Sequence, residues 1–152
     1  MSMRRGFTLL ELLVVLTIMA LIFVIAMPRF GFVSPQTELK SGAREVAAAL
    51  REARSRAIVS NSEVQFNLDV ERHHFAISGD DQVHPLSGDL KLLLYTAQEE
   101  QGGRATGAIR FFPDGSSTGG YVSLSAAKSS YNVTVDWLTG RVEIHPGEIA
   151  SN

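Results

Sequence analysis

Residues 1–30 read MSMRRGFTLLELLVVLTIMALIFVIAMPRF. From Phe7 to Met27 the chain is apolar without a break except at Thr8, Glu11 and Thr17. An α-helix rises about 1.5 Å per residue, so this run is about as long as a bilayer's hydrocarbon core is thick. Arg4 and Arg5 precede it and only Arg29 follows closely, which orients the N-terminus toward the cytoplasm and the rest of the chain outward. A secretory signal has a shorter apolar core and a small-x-small cleavage site, and a simple anchor has no use for a carboxylate. Acids inside such segments carry a cost and are usually functional. Glu11 therefore calls for a partner.

Outward from this stretch, the pattern changes twice. Pro35 suits the first turn of a helix running to about Ser60, with Ser34 as its N-cap. Within it Leu39, Ala43, Val46, Leu50, Ala53 and Ala57 follow one another at spacings of three and four, a single apolar stripe. If residues 7–60 form one nearly continuous helix, its first half is apolar all round and its second half amphipathic. Near residue 61 the period switches to two. Val64-Phe66-Leu68, Phe75-Ile77, Leu90-Leu92-Leu94, Ile109-Phe111, Val122-Leu124, Tyr131-Val133-Val135-Trp137 and Val142-Ile144 predict about seven short strands, with Leu138-Thr139-Gly140 as a tight hairpin. Ser78–Gly88 and Gln98–Gly107 read as loops. One long helix followed by antiparallel strands is an α+β fold.

Composition narrows the chemistry. The 152 residues include no cysteine, which excludes disulfides, a thiolate zinc site and a cysteine nucleophile. From Glu63 onward there are 6 Lys and Arg against 12 Asp and Glu, which argues against a nucleic-acid partner. The Gly- and Ser-rich loop Pro113–Gly120 lacks the lysine of a phosphate loop. The four histidines and Asp80, Asp81 and Asp89 match no metal-ligand spacing, and no nucleophile elbow is present. No catalytic, cofactor or metal site is expected. Arg44, Arg51, Arg54 and Arg56 read as a basic patch on the second half of the helix.

Arg4-Arg5-Gly6-Phe7-Thr8-Leu9-Leu10-Glu11 resembles the class III signal of type IV pilins and type II secretion pseudopilins. The resemblance implies that a prepilin peptidase removes leader 1–6 by cutting after Gly6 and methylates the new N-terminus at Phe7. It implies that Glu11 pairs with the N-terminal amine of a neighbouring subunit, so that a buried cation meets the buried acid. It implies also that Pro28 kinks the helix. Phe112-Pro113-Asp114-Gly115, then Gly119-Gly120, then Gly140-Arg141 resemble the GspH/FimT family, which contains the H-type minor pseudopilin and a related minor pilin. The fold so implied is pilin-like: a filament-core helix over 7–28 and a periplasmic head over 29–152 that includes the amphipathic helix 35–60. The function implied is that of a minor pseudopilin of the type II secretion pseudopilus, anchored by a single pass in the bacterial inner membrane. Its partners would be other pseudopilins, the peptidase and an inner-membrane assembly platform. The alternative is a minor pilin acting in pilus assembly or DNA uptake. DNA-binding members carry a second basic residue after Gly-Arg, where this chain has Glu143.

Overall fold

The computed structural model describes residues 8–26, 34–96 and 106–147, with side chains to residue 22 in the first stretch. It comprises two units, Met1–Phe32 and Val33–Asn152. Gly6, Phe7, Pro28 and the junction of the expected continuous helix lie outside the described residues.

In the first unit, helix α1 covers Leu9–Ala26. Thr8 starts it: its carbonyl accepts from Glu11 and Leu12 N–H, and its Oγ1 accepts from Glu11 N–H at 3.3 Å. Thr8 and Glu11 have the spacing of a capping box. Thr17 satisfies its hydroxyl on Leu13 O at 2.7 Å, so neither threonine needs an outside partner. Every described side chain of α1 is exposed, which leaves an apolar surface to be covered by lipid or protein. Among the described residues no helix is long and apolar enough to cross a membrane. The 18 residues of α1 rise about 27 Å, just short of a hydrocarbon core, and the expected span runs past both described ends.

In the second unit, helix α2 covers Pro35–Ser60, as the periodicity predicts. Pro35 opens the first turn, where its missing N–H costs nothing. Ser34 makes no side-chain cap bond, contrary to its expected role; its carbonyl alone holds the first turn, accepting from Thr37 and Glu38. The helix stops at Asn61, which is left-handed at φ 49°. Ser62 N–H there reaches Ala57 O and Asn61 N–H reaches Ile58 O, a Schellman-type closure. The buried face is broader than the expected stripe, because Gly42, Ala47 and Ala49 join it.

The strands form two antiparallel sheets. The first contains β1 (Val64–Asp69), β2 (His74–Ile77), β3 (Val83–Pro85) and β5 (Thr106–Phe111), in the order β3-β2-β1-β5. The second contains β4 (Lys91–Thr96), β6 (Gly120–Ala126), β7 (Ser129–Val135) and β8 (Val142–Gly147), in the order β4-β6-β7-β8. Among the described residues eight strands replace about seven. The extra one, β3, lies inside the expected Ser78–Gly88 loop and pairs with β2, where the His84 ring stacks on Phe75 at 5.0 Å. Thr106 and Gly107, also expected in a loop, begin β5 by pairing with Asp69 and Leu68. Trp137, expected on a strand, lies just past the end of β7.

Helix α2 packs on strands of both sheets. Val46 and Leu50 are fully buried, as are Phe66, Ile109 and Phe111 from the first sheet and Val122, Leu124 and Val133 from the second. This is one core with the helix as its shared wall. Three sheet edges are blunted. Pro85 and Pro146 lack a donor on β3 and β8. Arg51 Nη2 occupies the β8 carbonyl of Val142 at 3.1 Å. At the β5 edge, Arg110 N–H donates to Thr118 Oγ1 and Thr118 N–H to Arg110 O.

A Cβ at Gly42 would stand 2.9 Å from Leu90 Cδ1 and 3.4 Å from Leu124 Cδ2. Gly42→Leu is expected to destabilise the full chain in detergent by about 1–3 kcal/mol through overpacking. The same change at exposed Ala48 should stay within about 0.5 kcal/mol. Thermal unfolding of the two variants checks this.

Candidate functional site: a loop junction held by Arg54

The loop after β5 and the β7–β8 hairpin are about twenty residues apart in sequence and meet in space beside α2. Phe112 N–H donates to Ser116 O and Gly115 N–H to Phe112 O, so Phe112-Pro113-Asp114-Gly115 is a closed turn. Asp114 Oδ1 accepts from Ser116 Oγ at 2.6 Å and from Ser116 N–H at 2.9 Å. Those bonds hold the Asp114 carboxyl below the ordinary aspartate range. On the hairpin, Asp136 Oδ1 accepts from Thr139 N–H at 2.8 Å, Thr139 Oγ1 at 2.8 Å and Leu138 N–H at 3.1 Å. The Thr139 bonds, chiefly, lower the Asp136 pKa. The two loops are stitched by Ser117 N–H to Trp137 O at 2.8 Å.

Arg54 closes the junction from the helix. Its Nε lies 3.0 Å from Gly115 O and 3.1 Å from Thr139 O, so one donor ties α2 to both loops. Gly115 and Gly140 are left-handed, at φ 85° and φ 61°, and a Cβ at Gly140 would collide with Gly115 O. Gly119 lies against Trp137 Cβ and Gly120 against Tyr95 O. The glycines singled out in the sequence are therefore close-approach positions. Arg141 stands apart from the junction, exposed and ion-paired with Glu143 at 3.1 Å.

Sequence reading missed Arg54 as the centre of this arrangement. The one available signal was its place four residues after buried Leu50, at the margin of the apolar stripe. The expected basic patch is not a patch. Arg51 serves β8 and Arg54 the junction. Arg56 bridges Glu52 at 2.6 Å and Asp80 at 2.9 Å, which raises the Arg56 pKa, mainly through Glu52, and lowers that of Asp80, mainly through Arg56.

The histidines are dispersed. His73 Nε2 sits 2.8 Å from Leu90 O, His84 lies on Phe75, and His145 Nε2 is 3.3 Å from Glu143. Among the described residues no three metal-ligating side chains converge. A cleft of about 520 Å³ between the end of α2 and β1 is lined mainly by serines around Arg56, Val59 and Glu63. Another of about 530 Å³ runs beside the β7–β8 hairpin. Both are open. Glu11 is exposed on the first turn of α1; its expected partner, the N-terminal amine of a neighbouring subunit, lies outside the described residues.

The family model for the type II transport protein GspH matches residues 42–140. The chain belongs to the GspH family. The prokaryotic N-terminal methylation motif matches residues 1–27. The type II secretion system protein H of Xanthomonas campestris pv. campestris is 32% identical over 142 residues, covering 93% of this chain and 83% of that protein. In fold, this GspH-family chain resembles the minor pseudopilin EpsH from the type 2 secretion system of Vibrio cholerae. That likeness has a TM-score of 0.56 and 17% identity, and covers 72% of this chain and 97% of the other. It equally resembles the type IV minor pilin FimU of Pseudomonas aeruginosa, with a TM-score of 0.57, 17% identity, and coverage of 73% and 90%. The GspH match runs from the glycine facing Leu90 to the glycine facing Gly115, and so contains the whole junction. The chain is thus a member of a structural pseudopilin family, which implies assembly with other pseudopilins into a membrane-anchored periplasmic pseudopilus.

Arg54→Ala should cost about 1–3 kcal/mol, because two carbonyls lose a charged donor. Arg54→Lys should recover only part of that, since lysine has a methylene where Nε donates to both carbonyls. Denaturant unfolding of the full chain measures both. The folded pKa of Asp136 lies below its unfolded value. Its stabilisation is therefore complete above the ordinary aspartate range and is lost as pH falls through the folded value. Asp136→Asn keeps the acceptor and removes the charge. Unfolding midpoints of variant and parent should differ at neutral pH and converge toward about pH 2.

Proposed function

We propose that this chain is a minor pseudopilin of the type II secretion system, a structural subunit at or near the tip of the periplasmic pseudopilus, and that it supports export of folded proteins across the outer membrane. The observation that carries this reading is the pairing of an N-terminal methylation motif with a GspH-family head in one chain. Prepilin peptidase cuts after Gly6 and leaves Phe7 as the methylated N-terminus. The helix over 7–28 is a single inner-membrane pass with its N-terminus cytoplasmic, Pro28 kinks it, and the head over 29–152 lies in the periplasm. Glu11 pairs with the N-terminal amine of the adjacent subunit, and an inner-membrane platform drives assembly. The protein is not an enzyme. The polar chemistry of its head is that of folding and packing: Arg54 and the junction glycines fix the head's shape.

The likeness to a type IV minor pilin supports the alternative of pilus assembly or DNA uptake. Two observations weigh against DNA binding. The head is acidic, and the one basic residue of the Gly140-Arg141 stretch is neutralised by Glu143. A phosphate approaching Arg141 would have to displace that carboxylate.

Deleting the gene in its host should abolish exoprotein in the culture supernatant, and a plasmid copy of the wild type should restore it. Glu11→Ala should still be processed but restore little, because the buried amine loses its counter-charge. Unchanged secretion in the deletion strain would overturn the reading and make DNA uptake by the same strains the next assay.

A further inference from the structure

Helix α2 buries one face in the head and leaves the opposite face bare. At about 3.6 residues per turn, Thr37, Ser41, Ala48, Ser55 and Val59 follow one another along that outer crest, and all five are exposed. The charged residues beside the crest are sorted by sign. Lys40, Arg44 and Arg51 stand along one flank, and Glu38, Glu45 and Glu52 along the other. On the acidic flank Glu38 accepts from Ser87 Oγ at 3.1 Å, and Arg56 bridges Glu52 and Asp80, which leaves four acids there against one cation. On the basic flank Arg51 donates to Val142 O, and the neighbouring Glu143 is held by Arg141. Arg54, further round the helix, is turned onto the junction carbonyls. Among the described residues no ion pair within the head engages Lys40, Arg44 or Glu45.

The order of the signs decides which helix fits this face. Two copies of α2 laid crest to crest and antiparallel set like flank against like flank. Laid parallel about a two-fold axis running along the pair, they set each basic flank against the other copy's acidic flank. Every crest residue then faces its own counterpart. Arg44 comes level with the partner subunit's Glu45, and Lys40 with the partner subunit's Glu38, at the flanking positions where paired helices exchange charge. Each contact occurs twice in the pair. Ser41, Ala48 and Ser55 are small enough for the two helices to approach closely. Val59 is the one large apolar residue of the crest, 84% exposed, so hydrophobic association is slight and charge sets the register.

We propose that the bare face of α2 is a self-recognition surface, on which a second copy of this chain packs in parallel and in register, held chiefly by Arg44 against the partner subunit's Glu45. The occupant follows from the charge pattern: a face basic on one flank and acidic on the other is complementary to a parallel copy of itself. A contact of this kind is weak between free molecules and gains from confinement. The single membrane pass of the pseudopilin reading above supplies that confinement, and two copies anchored by it point the same way, so this part of the inference rests on that reading. The contact is separate from the one made through Glu11.

The chain has no cysteine, so Ser41→Cys or Ser55→Cys supplies the full-length protein with a single thiol. Host membranes are oxidised with copper phenanthroline and resolved without reductant. Each variant should give a disulfide-linked dimer, because parallel pairing in register sets each thiol against its own counterpart. Leu93→Cys, exposed on β4, should stay monomeric. Arg44→Glu added to Ser41→Cys should cut the dimer about fivefold or more by setting two carboxylates together, and Glu45→Lys should do the same with two cations. Co-expressed, these two reversals should restore a mixed dimer, told apart by a size tag, which damage to folding would not do. The Tm of each reversal in detergent should equal the parent's, because both side chains are exposed. No dimer, a dimer formed only between Ser41→Cys and Ser55→Cys chains, an adduct with a different protein in place of the dimer, or a dimer indifferent to both reversals would each overturn the surface. Alkaline extraction of the same membranes separates the two ideas. A chain retained in the pellet without a dimer sinks the α2 surface alone. A chain released by extraction sinks the membrane pass of the pseudopilin reading, and the crosslinks still decide the surface.

Discussion

The head depends on how close two sheets can come to one helix. Each sheet has an apolar face that must be buried, and among the described residues of the second unit α2 is the only helix that offers a surface to both. The helix meets this demand with small residues. Gly42, Ala43, Ala47, Ala49, Ala53 and Ala57 are all buried, and they leave room for Phe66, Phe111 and Leu124 to reach the helix from the strands. The larger Leu39, Val46 and Leu50 fill what remains. Gly42 marks the tightest approach, where even a methyl group would press on Leu90. The same packing makes α2 unlike α1. A helix covered on one face by its own chain carries polar residues on the other, whereas the described side chains of α1 are apolar on every side but for Glu11 and Thr17 and are exposed.

A chain that crosses from one sheet to the other leaves an open edge behind it. The Phe112–Gly119 loop deals with this by folding back along β5, pairing Thr118 with Arg110 before it starts β6. The loop is then pinned by Arg54 and by the contact of Gly140 with Gly115. These bonds lie at the end of the head where α2 stops, and they stiffen the hairpin that carries Trp137. The result is an end of the head with a fixed shape. None of this requires a catalytic group, and the polar side chains of the junction are occupied with one another and with the backbone.

Much of this was legible in the residues. The bounds of α2, the change of period near residue 61, the Leu138–Gly140 hairpin and most of the strands came from local patterns, because burial on one face imposes its period on the sequence. The pieces that were not legible owe their form to distant partners. Val83-His84-Pro85 has no strand signature and becomes β3 only because β2 offers an unpaired edge and Phe75 a face for His84. Thr106 and Gly107 are strand residues only because Asp69 and Leu68 extend to meet them. The N-cap expectation at Ser34 failed for a related reason: a backbone carbonyl already held the turn, so the hydroxyl was not required. Gly115, Gly119, Gly120 and Gly140 could be picked out by their pattern, yet what each one faces could not.

The sequence by itself determined the division into an apolar helix with one acid near its start and an amphipathic helix followed by strands. It also determined the acidic balance of the head and the absence of a thiol. These are properties of residue order and composition, and no tertiary contact can alter them. Only the tertiary structure decided that the strands divide into two sheets across one helix and that Arg51, Arg54 and Arg56 are engaged within the head. It alone brought Asp114 and Asp136 to one end with Trp137 exposed beside them. The physical reason is separation along the chain. Arg54 binds carbonyls 61 and 85 residues away, and no local period carries information about a partner at that distance.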